Sequence, residues 1–389
     1  LNLEFSIAME QGDFESLVSR MEQLAREKPK PYRRRVFLLA GLGYAYLAVV
    51  ILVLLMLTVA AIASISKIGI LGSKLVAVVA VLLIAVVRGL WVRLAPPSGE
   101  AVTGVDAPEL FRLLNALRVR LKTAPIHVVL ITPDFSAGVA QVPRLGLFGW
   151  HRNYLILGLP FMKALTVEQF KSVLAHEMGH LCHGHARASN WIYRMRIIWA
   201  RLEAIFEYQP HWGSGLIRAF FRWYIPYFNA VSFPFARANE YQADAASVLV
   251  TSARKAAQAL TGVHVIGIYL EHRYWPAMIA ATKDPAKGSV APFAGFVAQG
   301  VRSVPETELK SWVTAALKQV TSHEDTHPSL TDRLKAMGAP AEFAPPGPGE
   351  GAEKLLGSSL ARLEKKFDAA WNKLAAREAR PYFPEAPKR

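Results

Sequence analysis

Apolar residues near the start of the chain fall at helical spacing: Phe14, Leu17, Val18, Met21 and Leu24 recur among mixed charges within residues 1–28, which predicts an amphipathic helix. From Val36 to Ser66 there is no charged residue, a run longer than the roughly 20 apolar residues that cross a bilayer. A second apolar stretch lies within Ile68–Val92, where Lys74 can sit near one end with its ammonium reaching toward the headgroups. The pattern predicts a transmembrane helical hairpin. A buried hairpin in a soluble core is the competing reading, but cores rarely need so long an uncharged run.

Basic residues give the hairpin an orientation. Arg26, Lys28, Lys30, Arg33, Arg34 and Arg35 precede the first span and Arg88 and Arg93 follow the second, with Lys67 and Lys74 between them. The positive-inside rule then places both ends, and everything after Arg93, in the cytoplasm. A cleaved signal peptide fits poorly, because its apolar region is about 7–15 residues long and lies close to the start. A permanent anchor in an inner or plasma membrane of bacterial type is expected.

Beyond the hairpin the periods alternate. Pro96, Pro97, Ser98 and Gly99 suggest a linker. Leu110, Leu113, Leu114, Leu117 and Leu121 predict a helix over Glu109–Lys122, and Ile126–Thr132 is a β-branched strand. Further strands are expected at Phe135–Val142 and Tyr154–Leu159, around the turn-rich LGLFGWHRN. Thr166, with Gln169 three positions on, is a capping box that opens a helix expected to close at Gly184. Trp191–Phe206 and Leu216–Phe235 are aromatic and basic, the latter interrupted by Pro226 and Pro234; they are expected to be helices near the membrane surface or over a site, with packing into the core as the equal alternative. Arg237–Val250, Ala253–Tyr274 and Glu306–Val320 predict more helices, and a Pro- and Gly-rich linker, Ala344–Gly351, precedes a charged amphipathic helix from Glu353 to about Arg377. The expected fold is mostly α with a small β-sheet (α+β). Its expected organisation is an N-terminal amphipathic cytoplasmic segment (1–35), the hairpin (36–93), a central domain (94–340), and a linker with a C-terminal helix (341–389).

Composition narrows the function. Cys182 is the single cysteine among 389 residues, so no disulfide can form within the chain and nothing calls for an oxidising compartment. The net charge of +15 flanks apolar runs, without the interleaved basic and aromatic residues of a nucleic-acid module. The lipid bilayer is therefore the expected partner and nucleic acid is not.

The central chemistry sits in VLAHEMGHL, Val173–Leu181. His176 and His180, four apart, share one helix face and can aim two imidazoles at one cation. Catalytic zinc takes three protein ligands and water, and Glu177 is placed to serve that water as general base. The five-residue pattern is a weak signal until a third ligand is found. ARANEYQADAAS, Ala236–Ser247, supplies one: Glu240 can ligate, while Asp244, one turn on, can accept the outer N–H of a ligand histidine. The plainer alternative is a solvated acidic helix face. Asn239 can orient the site or be a surface amide, His183 and His185 suit a helix end, and Cys182 projects from another face. His127, His151, His211, His264, His272 and His323 have no partner at ligand spacing.

VLAHEMGHL, NEYQADAAS and THPSLTDRL (Thr326–Leu334), in that order behind a hydrophobic hairpin, resemble the membrane zinc metalloendopeptidases that include HtpX and the type I CAAX prenyl protease. The resemblance spans most of Arg33–Gly338. It implies a zincin-like metallopeptidase domain with one Zn2+ per chain on His176, His180 and Glu240, Glu177 as general base, and Asp244 supporting a ligand. It further implies that His327 donates a hydrogen bond to the tetrahedral intermediate, with Arg333 as a supporting arginine. Pro328 is expected in the first helical position, which would set His327 at a helix N-terminus. An edge strand before the metal helix is implied to hold extended substrate by main-chain pairing; FSAGVAQVP, with Ala137, Gly138 and Val139, is the matching stretch, and an ordinary hairpin strand is the alternative.

The chain departs from HtpX-like relatives between His180 and Glu240, where they carry two further hydrophobic segments and this sequence has many charges and no clean span. The expected function is hydrolysis of peptide bonds in misfolded or membrane-associated proteins. The alternative is a non-catalytic, zinc-binding membrane adaptor of protease ancestry, against which the presence of Glu177, Glu240 and His327 together argues. Oligomeric state and cleavage preference are not encoded in any pattern found.

Overall fold

The computed structural model describes residues 9–69, 73–74, 76–81, 84, 96–144, 151–182, 192, 195–196, 198–200, 215–277, 293–323 and 325–375. It is mostly helical with one small mixed sheet. More than half of the second predicted span, residues 145–150 of LGLFGWHRN, His183, His185, His211 and much of Trp191–Phe206 lie outside the described residues.

The N-terminal amphipathic pattern folds as α1 (Gln11–Glu27), which buries Phe14, Leu17, Val18 and Met21. Each such burial contributes on the order of 1.5–3 kcal/mol. Next comes α2 (Pro29–Ile68). Its first turns, with Tyr32, Val36, Ala40 and Leu47, pack into an apolar cluster with α1 and with Phe221, Tyr224, Phe228 and Phe233. Much of its later surface is bare: Leu52, Val53, Met56, Val59 and Ile62 are exposed, while Ala61 is buried. Residues Pro29–Ala63 form the one helix among those described that is long and apolar enough to cross a membrane.

β1 (Glu100–Val102), missed by the sequence pattern because three residues carry no readable period, precedes α3 (Pro108–Leu121). β2 (Val128–Thr132), β3 (Ala137–Pro143) and β4 (His151–Gly158) complete a sheet of order β1-β2-β4-β3. β2 and β4 run parallel, with Val128 opposite Tyr154, while β3 returns antiparallel on β4, with Gly138 opposite Ile156. That leaves β3 at an edge. α4 (Leu159–Ala164) leads into α5 (Val167–Gly179), and Phe170, Leu174 and Met178 of α5 join Leu110, Leu117, Ile131, Leu155 and Leu157 in the main core.

α6 (Gly215–Val250) corrects the sequence reading, which broke this region into two helices. Pro226 and Pro234 lie inside one continuous helix. Proline removes a backbone donor and usually breaks a helix. The carbonyls that lose a helical donor are those of Arg222 and Ala230, four residues earlier; the adjoining stretch is held by side chains, with Arg196 donating to the Asn229 oxygen, Tyr32 Oη–H to the Val231 oxygen (3.1 Å) and Ser232 Oγ–H to the Phe228 oxygen (2.6 Å).

α7 (Ala253–Tyr269) is capped by Ser252, whose hydroxyl accepts the Lys255 N–H at 3.2 Å. α8 (Phe293–Arg302), α9 (Glu306–Lys318) and α10 (Leu330–Met337) follow. The predicted C-terminal helix divides into a short 3-10 turn, Ala352–Leu356, and α11 (Ser359–Ala375), whose Leu363, Phe367 and Trp371 enter the main core.

Candidate metal centre

α5 starts with the predicted capping box: Thr166 Oγ1 accepts the Gln169 N–H (3.3 Å) and Gln169 Oε1 accepts the Thr166 N–H (2.9 Å). The helix stops at Gly179, well before the expected Gly184, so His180 is its C-cap. Because His180 keeps right-handed helical angles (φ −64°, ψ −16°), it still stands one turn beyond His176. The two rings lie edge to face with centroids 5.0 Å apart.

α6 crosses close to this end of α5. A Cβ on Gly179 would lie 3.0 Å from Ala243 Cα and 3.2 Å from Ala246 Cβ, so the missing side chain of one helix and the methyl groups of the other set the approach. Ser247 Oγ–H donates to the Ser172 carbonyl at 2.6 Å across the same seam. This packing brings Glu240 to the histidines, with Oε2 3.6 Å from His176 Nε2 and Oε1 3.8 Å from His180 Nε2. The three donor atoms lie within 4.8 Å of one another. Ligands at about 2.0–2.1 Å from a tetrahedral ion sit roughly 3.3 Å apart, so only a small contraction separates this cluster from a coordination shell.

The electrostatics fit a cation. Glu240 is 2% exposed, yet among the described residues its Oε2 receives no hydrogen bond, an arrangement that is costly unless something positive faces the oxygen. Burial would raise the Glu240 carboxyl, but adjacent His176 and the charges of His327 and His180 hold it at about 2. For His176, burial pulls the imidazole down, and Asp244, Glu240 and Glu177 together outweigh it and lift it to about 9. Burial holds His180 at about 4, against the pull of Glu240. The field thus favours one positive charge between these donors, supplied either by a proton on His176 or by a metal ion.

The outer nitrogens are also occupied. His176 Nδ1 lies 3.1 Å from Asp244 Oδ1, and Asp244 is gripped by Arg333 through Nε to Oδ2 (2.8 Å) and Nη2 to Oδ1 (2.6 Å). Burial would raise the Asp244 carboxyl, but Arg333 and His176 keep it below its usual range. Asn239, left open between two readings on sequence, is 1% exposed, with its Nδ2 2.9 Å from His180 Nδ1. Turned by 180°, the same carboxamide offers its oxygen to an Nδ1–H. Each histidine therefore has a polar partner behind it, and each Nε2 faces Glu240.

Glu177 is half-buried beside the cluster, and no donor among the described residues hydrogen-bonds its carboxylate. Burial raises its carboxyl above the usual range, with His176 opposing. His327 projects Nε2 to 3.5 Å from Glu240 Oε2, and its Nδ1 lies 2.7 Å from Asp325 Oδ1, a contact that raises the imidazole. The expected placement of His327 at a helix start is corrected. α10 begins at Leu330 and is capped by Ser329, which accepts the Asp332 N–H at 3.2 Å. Pro328 lies outside that helix, and Asp325, rather than a helix end, fixes the ring.

Ala137, Gly138 and Val139 lie on edge strand β3, which packs beside α5. No hydrogen bond or ion pair among the described residues links them to the cluster, and a side chain at Gly138 would meet open space. His264, given no role by spacing, is half-buried on α7; burial, followed by the charges of Arg333 and His327, holds it at about 4. His127 Nδ1 accepts the Asn153 N–H (3.0 Å) and Cys182 Sγ–H donates to the Leu121 oxygen (3.5 Å), and neither residue belongs to the donor cluster.

Comparison with curated proteins and with solved structures gives no significant match. The model of one family does match, over residues 147–341, a range that contains His176, Glu177, His180, Glu240, Asp244, His327 and Arg333. With half of the chain so matched and a His-His-Glu donor cluster at its centre, the chain belongs to peptidase family M48, a family of metallopeptidases.

Proposed function

We propose that the chain is a membrane-anchored zinc metalloendopeptidase that cuts misfolded or membrane-associated polypeptides on the cytoplasmic side. The observation that carries this reading is the convergence of His176, His180 and Glu240 within 4.8 Å, with Glu240 Oε2 buried and, among the described residues, unsatisfied, and Glu177 alongside. Two imidazoles and one carboxylate are the donor set of catalytic zinc. Zinc, when bound, polarises a scissile carbonyl and makes water acidic enough to attack it. Glu177, with no donor on its carboxylate among the described residues and a raised affinity for protons, takes the proton of the attacking water and delivers it to the leaving amine. His327, exposed on one side and steadied by Asp325, donates Nε2–H to the developing oxyanion. Asp244 and Asn239 hold the ligand imidazoles in the tautomer that presents Nε2.

Extended substrate pairs with the free edge of β3 at Ala137–Val139, where small side chains let another backbone approach. The bare surface on the later turns of α2 supports a membrane anchor, and the two-span topology with residues 94–340 as the cytoplasmic catalytic domain rests on the distribution of basic residues. The test compares digestion of an unfolded protein such as denatured casein by the zinc-loaded, detergent-purified chain and by Glu177→Gln. The variant should keep its zinc and lose about 10³-fold in kcat. Equal cleavage by both would remove Glu177 from the mechanism; zinc retention with no cleavage by either would favour the adaptor reading.

A further inference from the structure

Glu22, on α1, lies outside the matched region yet touches two segments that carry the site. Its side chain is 16% exposed. Its Oε1 takes an ion pair from Arg237 Nη1, and its Oε2 lies 3.6 Å from Arg26 Nη2 and 3.8 Å from His323 Nε2. Arg237 is one helical turn before Glu240 on α6. With its other terminal nitrogen, Nη2, it donates to the Ser322 carbonyl at 2.6 Å. Ser322 and His323 belong to the connection between α9 and α10, a few residues before His327.

An aromatic floor supports this junction. The Arg237 guanidinium sits 4.7 Å above the Phe233 ring, while His323 and Phe14 meet that ring edge-on at 6.0 Å and 6.3 Å. α1, α6 and the His327 connection therefore meet around one half-buried carboxylate. The other side of the connection is pinned separately: Thr321 Oγ1 accepts the Ser329 N–H at 2.8 Å and donates to Asp332.

We propose that α1 is a clasp that completes the active site, with Glu22 as a positioning residue acting through Arg237 and Ser322 to hold His327 over Glu240. The inference rests on the role given to His327 under the proposed function. A connecting segment of this kind gains its geometry from its anchors, and a shift of about 1 Å in a transition-state donor can cost on the order of 10²-fold in rate. α1 is contiguous with α2, so the clasp also links the apolar helix to the chemistry.

Kinetics of the full-length, zinc-loaded chain on an unfolded protein test this with Glu22→Gln, His327→Ala and the double variant, alongside zinc content and melting temperature. Glu22→Gln keeps the shape and removes the charge. It is expected to lower kcat about tenfold with KM and zinc unchanged, to recover partly as Glu22→Asp, and to add little to His327→Ala. Arg237→Lys keeps a cation for Glu22 but not the second bond to Ser322, and should show the same kcat loss even if Glu22→Gln folds poorly. Full kcat in Glu22→Gln and Arg237→Lys, or losses that multiply with that of His327→Ala, would overturn the clasp. Full kcat in His327→Ala alone would instead overturn the role of His327.

Discussion

Arg333 holds Asp244 with a two-pronged grip, Nε to Oδ2 at 2.8 Å and Nη2 to Oδ1 at 2.6 Å, and the Oδ1 so held is the atom 3.1 Å from His176 Nδ1. The carboxylate has two orientations to choose from, and the guanidinium selects the one that serves the imidazole. Both residues are buried, at 6% and 3% exposure, so neither charge is compensated by solvent. Arg333→Lys keeps the positive charge but gives up one prong. Zinc affinity, measured by competition with a chelator, should fall 10- to 100-fold, as for other groups that orient a metal ligand. Arg333→Ala should do more, leaving a buried carboxylate with only His176 beside it, at a cost of about 3–5 kcal/mol in stability. Unchanged zinc affinity in Arg333→Lys would mean that Asp244 does not depend on the fork.

Gly179 makes a different prediction. A methyl group there would meet the backbone of Ala243 at 3.0 Å, a distance relieved only by moving α5 and α6 apart. Alanine usually strengthens a helix, by about 1 kcal/mol over glycine. Here the overpacking, costing about 1–3 kcal/mol, should win. Gly179→Ala is therefore expected to melt at lower temperature and to bind zinc more weakly, because Glu240 rides on the helix that moves. A rise in melting temperature with zinc affinity intact would show that the seam has slack.

These two positions mark the limit of what the sequence shows. His176, His180, Glu240 and Asp244 are legible because helical spacing alone puts each pair on one face, and the Thr166 and Gln169 capping box is equally local. Nothing local says that Gly179 will face Ala243, that Asn239 will turn toward His180, or that Glu22 will reach Arg237; those follow from how α1, α5 and α6 pack. The continuity of α6 through Pro226 and Pro234 is another such case, since proline reads locally as a break and the residues of α1 and α2 that pack on this stretch come from distant segments. The strand pattern predicted three strands, but not the parallel pairing of β2 with β4 that sends β3 to the edge, nor β1, whose three residues are too few to show a period.

His264 provides the last prediction, one of sign. Its imidazole is held at about 4 in the folded chain, first by burial and then by the charges of Arg333 and His327, against about 6.5 when unfolded. Between these values the unfolded chain binds more protons than the folded one, so stability rises with pH across that window and is lost as pH falls through it. The size of the effect is on the order of 3 kcal/mol. Melting curves between pH 4 and pH 7 should therefore steepen in their pH dependence relative to a His264→Gln variant, which cannot take up the proton. The comparison isolates this residue from Glu177, His176, His180 and Glu240, which titrate in both proteins. Identical pH profiles for the two would place a compensating group beside His264 and remove it from the acid sensitivity of the fold.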